Sequence, residues 1–331
     1  MAQVGNLPCD LKRSVLTKAH DVSDPSYGCE PRNRKLQEYM KFGAINLDKP
    51  RGPTSHEVTA WVKRILGVEK AGHGGTLDPS VSGVLVVAIG DATKVLQAFL
   101  PAGKEYVCVM HLHGDVGDEK LAQVLKEFTG RIYQKPPLRA AVRRQVRTRE
   151  IYYIELIERD GRNVLMRVGC EAGTYMRKLC HDIGEAIGCG AHMKELRRTR
   201  VGTVDERVSV TLQDVADAYA VWKENGEEKF LRKAIVPIEE LLGHLPKLVV
   251  RDGAVDALCH GADLAAPGVL KVDSGIKRGG LVGVFTLKGE LIELARTTMD
   301  SEEIVNAEHG IVARPERVVM LPGTYPKMWK S

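Results

Sequence analysis

The chain has 331 residues, 48 Lys/Arg against 43 Asp/Glu, 44% hydrophobic and 27% charged residues. This composition excludes collagen-like, low-complexity and largely disordered classes, and the length predicts two or three domains. No apolar run reaches membrane-spanning length and charges interrupt the start of the chain, so neither a transmembrane helix nor a secretory signal is expected.

Residues 1–42 are rich in proline, glycine and charge, with few periodic apolar positions, and read as an irregular arm. From Gly43 the pattern becomes globular. Ala44–Leu47 is a short strand stopped by Asp48-Lys49-Pro50-Arg51-Gly52-Pro53. Thr54 and Glu57 have capping-box spacing before Val58, Trp61, Val62, Ile65 and Leu66, which share one helical face ended by Gly67. Val84–Ile89 is a continuous apolar run, the pattern of a buried strand, and Lys104–His113 alternates as a half-buried one. Further strands fit Ile151–Ile157 and Val164–Cys170, and helices fit Leu121–Phe128, Thr174–Ile187 and Val210–Glu224. The order has no regular βαβ rhythm, which predicts an α+β domain over 43–245 with a mixed or antiparallel sheet. Beyond it, Leu248–Arg251, a short helix opened by Asp252 and closed by His260-Gly261, and a hairpin turning at Lys288-Gly289 form a small, mostly β module over 246–321. A tail, 322–331, follows.

Seven cysteines are scattered without a Cys-x-x-Cys pair, and no Asn-x-Ser/Thr sequon occurs, which favours a reducing, cytoplasmic setting. Cys189 and His192 have ligand-like spacing but lack a second tight pair, so no metal site is expected.

Charge is unevenly spread. Between Arg139 and Arg200 there are fourteen Lys/Arg against eight Asp/Glu. Such a surplus marks either a surface that attracts phosphates or a solvated charged face. Arg143, Arg147 and Arg149 share one parity while Val142 and Val146 share the other. If extended, that segment lays an arginine face over an apolar one, suited to a nucleic-acid backbone. Lys194, Arg197, Arg198 and Arg200 form a second basic cluster. Aromatic residues are only 5%, too few for a repeated base-stacking platform, so a single ring such as Tyr106 would have to serve one base.

The densest string is Gly72-His73-Gly74-Gly75-Thr76-Leu77-Asp78-Pro79. Its glycines permit close backbone approach and Pro79 stiffens the chain beside a lone carboxylate. By itself the string is either an ordinary glycine-rich turn, the simpler reading, or a rigid loop presenting Asp78 to something bulky. Arg177 stands near the start of a helix with Thr174 as its expected N-cap, where cations oppose the helix dipole. It either reaches solvent or has a partner carboxylate or phosphate. No phosphate-binding Gly-x-x-x-x-Gly-Lys-Ser/Thr loop, zinc-protease motif or dinucleotide fingerprint is present.

Together these strings resemble the pseudouridine synthases of the TruB type. The resemblance rests on His73–Pro79 followed by Ser82-Gly83-Val84-Leu85, Asn46–Pro50, Gly103–Tyr106, Gly173–Arg177 and His192–Arg198, in this order. Gly52–Val58, Lys135–Leu138 and Tyr325–Trp329 look like the archaeal and eukaryotic dyskerin branch, and the missing Lys-rich tails place the resemblance nearest its archaeal members. It implies a pseudouridine synthase domain followed by a PUA domain, the latter carried by His260–Leu264 and Pro267–Val269. It further implies Asp78 as the catalytic carboxylate, Tyr106 stacked on a flipped uridine, Arg177 paired with Asp78 and Leu196 packed on the base. Lys49 with Pro50 would brace the wall, and His73 would lie beside the RNA. Arg143, Arg147, Arg149, Lys194, Arg197, Arg198, His260 and Gly261 would contact RNA. No metal or organic cofactor is implied. Implied partners are guide RNA, rRNA and tRNA, with a zinc-ribbon protein, a glycine-arginine-type protein and a kink-turn-binding protein of the box H/ACA complex. A stand-alone enzyme acting on the tRNA TΨC-loop uridine and a non-catalytic RNA scaffold are the alternatives.

Overall fold

A computed structural model describes residues 5–135 and 145–327. Two sheets organise them. The larger runs in the order Val236–Pro237, Gly43–Lys49, Ser82–Ile89, Ala191–Val201, Lys104–Leu112, Asn163–Cys170, Arg147–Asp160 and Gly130–Gln134. Its neighbours along this path pair antiparallel except at one seam, where Ser82 and Gly83 run parallel to Arg197 and Arg198. The expected α+β class with a mixed sheet is what forms. The seam depends on Gly83: its φ is +104°, and a Cβ there would sit 2.1 Å from the Arg198 carbonyl oxygen.

Helices cover the larger sheet for reasons visible in the chain. Ser55–Leu66 begins with the expected capping box: Thr54 Oγ1 accepts from the Glu57 amide at 3.1 Å, and Glu57 Oε2 accepts from the Thr54 amide at 2.7 Å. Gly67 closes it at φ +62°. Val58, Val62 and Leu66 are buried with Ile45, Leu47, Leu85 and Val87 of the sheet. Met176–Ile187 buries Met176, Leu179, Ile183 and Ile187 against Cys108, Met110 and Met166.

The smaller sheet is ordered Val15–Thr17, Val269–Asp273, Lys247–Val250, Leu281–Phe285, Leu291–Thr297, Ile311–Val318 and Leu264–Ala265. Its outermost strand comes from the arm, with Val15 paired to Asp273 and Thr17 to Lys271. The arm therefore contributes a strand, not only irregular chain. It also touches the larger unit, where Asp10 pairs with Arg200, and Arg34 is buried in a two-bonded ion pair with Glu239 at 2.7 and 3.1 Å. The two sheets are not independent bodies: Phe42, Val84, Leu242 and Leu245 pack in one apolar cluster with Phe285, Leu291 and Val319. Among the described residues no helix is long and apolar enough to cross a membrane.

Two local expectations are corrected. The N-cap of the helix at Met176 is Tyr175, not Thr174; the Thr174 hydroxyl turns back to donate to the Glu171 carbonyl at 2.7 Å. The arginine stripe is also reversed. Gln134 pairs with Arg147, Ile132 with Arg149 and Gly130 with Ile151. Ile151 is 1% exposed, so Arg147 and Arg149 lie on the parity that becomes core, while Val146 is 63% exposed. Arg143 and Val142 lie outside the described residues.

Candidate active site

A cleft of about 830 Å³ opens where the loop Gly74–Val81, the strand Lys104–Leu112, the start of the helix Met176–Ile187 and the strand Ala191–Val201 converge. Asp78, Tyr106, Arg177 and Leu196, four residues far apart in the chain, all line it. Arg177 Nη2 donates to Asp78 Oδ2 at 3.3 Å, and the two side chains are 65% and 62% exposed. An ion pair so open to water contributes little stability, about 0–1 kcal/mol. Its value is positional, because a ligand that excludes water would strengthen the interaction. Asp78 is thus accessible, with Arg177 as its partner.

Two buried cations hold the loop of the carboxylate, and a third, Lys104, holds the turn before its own strand. Arg198 is 2% exposed and, among the described residues, has no carboxylate among its hydrogen-bond acceptors. Its guanidinium donates to the carbonyls of Val84 at 2.8 Å, Thr76 at 3.4 Å and Gly75 at 3.3 Å. Burial lowers its pKa, and a neighbouring phenol, Tyr106, pulls the other way. Lys49 is fully buried and donates to the carbonyls of Pro50 at 2.8 Å and Val81 at 2.9 Å. Burial first, and then the charge of Arg198, lowers its pKa. Lys104 donates to the carbonyls of Phe99, Leu100 and Ala102 at 3.0, 2.7 and 2.7 Å, and burial pushes it down to about 8. Lys104 and Arg198 were not singled out for this role by the sequence. Burial of a cation on main-chain acceptors leaves no motif, although Lys104 stands next to the Glu105-Tyr106 pair that was noted.

Tyr106 is half-buried, and burial raises its phenol pKa against the lowering influence of Arg198, which is its cross-strand partner. Its ring and Leu196 give the cleft an aromatic and an aliphatic wall. Among the described residues the cleft lining carries one acid, Asp78, against Lys104, Arg177, Lys178 and Arg198. Such a surface attracts anionic ligands.

Other expected residues fall elsewhere. Pro50 is exposed beside Lys49. His73 does not line the cleft: it sits edge-on to His56, ring centroids 4.9 Å apart, and burial lowers its pKa. Arg197 is engaged by Asp48 through two bonds of 2.9 Å and by Glu206 at 2.6 Å, so it ties strands together. The expectation that Arg198 faces an RNA backbone is corrected, because burial commits it to the protein; Arg197, although paired, keeps 37% of its side chain exposed. Lys194 is exposed. Arg149 lies over Gly173, with Glu171 at 3.8 Å. His260 and Gly261 are exposed in the smaller unit, with His260 Nδ1 3.6 Å from the Asp256 carboxylate. Cys189 donates its thiol to the Gly190 carbonyl at 3.3 Å, and His192 faces His113 at 2.9 Å. Among the described residues no group of three or more metal-ligating side chains could hold an ion.

Comparison with known proteins accords with this geometry. The family models matched are the TruB family pseudouridylate synthase N-terminal domain over 63–176, the tRNA pseudouridylate synthase B C-terminal domain over 177–243, the PUA domain over 246–319 and the DKCLD (NUC011) domain over 5–59. A protein of Methanopyrus kandleri called "Probable tRNA pseudouridine synthase B" is 60% identical over 98% of this chain and 96% of its own. One of the same name from Pyrococcus furiosus is 56% identical over 98% and 96%. Among solved structures, a crystal structure of a Cbf5-Nop10-Gar1 complex contains a chain with TM-score 0.95 and 56% identity, covering 97% of this chain and 98% of that one. A structure of an H/ACA RNP bound to a substrate RNA containing 2'-deoxyuridine contains one with TM-score 0.92 and 54% identity, covering 98% and 100%. With an open carboxylate that pairs with a guanidinium and shares its cleft with a phenol, and with this likeness along its whole length, the chain belongs to the TruB/dyskerin family of pseudouridine synthases that carry a PUA domain.

Proposed function

We propose that this pseudouridine synthase is the catalytic subunit of a box H/ACA guide-RNA complex in the cytoplasm, converting rRNA uridines and also the TΨC-loop uridine of tRNA. The observation that carries the proposal is the likeness of the whole chain, arm and PUA domain included, to the chain solved in the Cbf5-Nop10-Gar1 complex. Guide pairing then selects the uridine, while the protein reads RNA shape and backbone. A zinc-ribbon protein, a glycine-arginine-type protein and a kink-turn-binding protein complete the assembly. Arg147 and Lys194 meet the RNA backbone near the cleft, and His260 with Gly261 meets the guide RNA at the PUA domain.

Chemistry starts from extrusion of the uridine, which costs a few kcal/mol. Stacking on Tyr106, about 1–3 kcal/mol, and backbone contacts offset that cost. Asp78 is the catalytic carboxylate. In the net reaction the bond from C1′ to N1 is exchanged for one from C1′ to C5, the C5 proton leaves, and N1 gains one. No atoms are lost and no redox change occurs. Arg177 orients Asp78, Leu196 holds the ring in place, and Lys49 with Pro50 keeps the wall behind them.

The test is pseudouridine formation with purified components. Guide RNA and partner proteins should raise conversion of an rRNA fragment from background, while a tRNA transcript is converted by the chain without a guide. Indifference of rRNA conversion to the guide would remove the assignment to a guided complex. D78N should abolish product on both substrates and leave RNA affinity nearly unchanged; persistent product would remove Asp78 from the chemistry. The second reading, an enzyme for tRNA alone, is favoured by the names of the curated relatives, and conversion of tRNA without any guided activity would establish it.

A further inference from the structure

Two buried polar side chains outside the cleft repeat one device, one on the residue next in the chain to Asp78 and one on a residue near Arg177. Ser55 is fully buried at the start of the helix Ser55–Leu66. Its Oγ accepts from the Leu77 amide at 2.8 Å and donates to the Leu77 carbonyl at 3.2 Å. Gln134 is 1% exposed at the end of the strand Gly130–Gln134. Its Oε1 accepts from the Tyr175 amide at 2.9 Å and its Nε2 donates to the Tyr175 carbonyl at 3.2 Å. Each side chain grips both main-chain polar groups of a single residue. Leu77 immediately precedes Asp78, and Tyr175 stands two residues before Arg177.

We infer that Ser55 and Gln134 are paired positioning residues: one sets the main chain that presents Asp78, the other sets the helix entrance that presents Arg177. Neither lines the cleft, so neither touches RNA there. The physical reason is that the ion pair cannot position itself. Its two partners are mostly exposed and meet at 3.3 Å, an interaction too weak in water to order a glycine-rich loop. A two-bonded side-chain grip restricts a residue in both directions at once and, being buried, is not exchanged for water. The helix entrance has the same need, because the Tyr175 side chain caps none of the helix amides and Gln134 accepts from the Tyr175 main-chain amide. The inference rests on the roles of Asp78 and Arg177 proposed above.

The test compares wild type, S55A, Q134A and D78N as full-length protein, under conditions where wild type converts its uridine. Three quantities are read: the single-turnover rate, the RNA dissociation constant, and amide hydrogen exchange at Leu77 and Tyr175. S55A should exchange faster at Leu77 and Q134A at Tyr175. Each should lose about 10–100-fold in rate, as a misplaced reacting group does, with RNA affinity within about twofold of wild type, as expected for residues outside the binding surface. S55C and Q134M keep side-chain volume and bury no charge while weakening or removing the grip. They should fall between wild type and the alanine variants, and they serve if an alanine variant does not fold. A rate within about twofold of wild type despite faster exchange at the gripped amide would overturn the inference. So would a parallel loss of RNA affinity. If D78N itself retains activity, the failure belongs to the proposed role of Asp78 and not to the grips.

Discussion

The Arg177 guanidinium meets the Asp78 carboxylate across a separation of 99 residues, and both side chains stay open to the cleft. That arrangement resolves the awkward place of a cation in the first turn of a helix, since its partner is a carboxylate supplied by another loop. R177M should lower uridine conversion by about 10²-fold or more, as removal of a catalytic-site donor does. R177K keeps the charge but not the planar fork and should fall between wild type and R177M. Single-turnover assays on a common RNA check this, and equal rates for all three proteins would show the pair to be idle.

Arg198 and Lys194 should behave oppositely, although the sequence presents them as one basic cluster. R198M removes the donor to the Gly75, Thr76 and Val84 carbonyls and should reduce turnover without changing how RNA binding depends on salt. K194E, at an exposed position, should weaken RNA binding and leave the chemistry intact once RNA is saturating. Binding isotherms at several salt concentrations, combined with saturating rates, separate the two.

Arg147 lies on the inward parity of its strand but beyond the core, where the guanidinium remains half-exposed. R147E should weaken RNA binding and reduce the magnitude of the salt slope by about one counterion, the signature of one lost phosphate contact. An unchanged slope would place Arg147 away from RNA.

Glu293 in the PUA sheet is fully buried, neither carboxylate oxygen has a hydrogen-bond partner among the described residues, and burial pushes its pKa up to about 8. The folded chain therefore holds a proton that the unfolded chain releases above the ordinary value of 4.5. Below that value Glu293 gives stability no pH dependence. Between it and about 8 stability falls as pH rises, and above about 8 the loss is complete, on the order of 5 kcal/mol. E293Q cannot ionise. Its melting temperature should gain on wild type as pH rises from 5 to 8.5, as measured by thermal unfolding. A gap that does not vary with pH would show that Glu293 does not carry this penalty.

Local patterns determined much of this protein. The capping box before Val58, the alternation in Lys104–His113 and the apolar run at Val84–Ile89 each encode an element through neighbours within a few residues. The string around Asp78, with Tyr106, Arg177 and Leu196, was legible as a motif, and the structure brings these residues to one cleft. Other properties depended on partners far along the chain. The arm becomes a strand because Val15–Thr17 finds an open edge at Val269–Asp273. Arg197 and Arg198, adjacent and alike in sequence, diverge because successive strand residues point to opposite faces, one toward Asp48 and Glu206 and the other into the interior. Ser55 and Gln134 carry no signal of their own, since a grip on Leu77 or Tyr175 exists only once the loop and the helix entrance have been packed beside them. Composition and periodicity report what a segment can form; tertiary packing assigns each polar group its partner, and those assignments place the carboxylate.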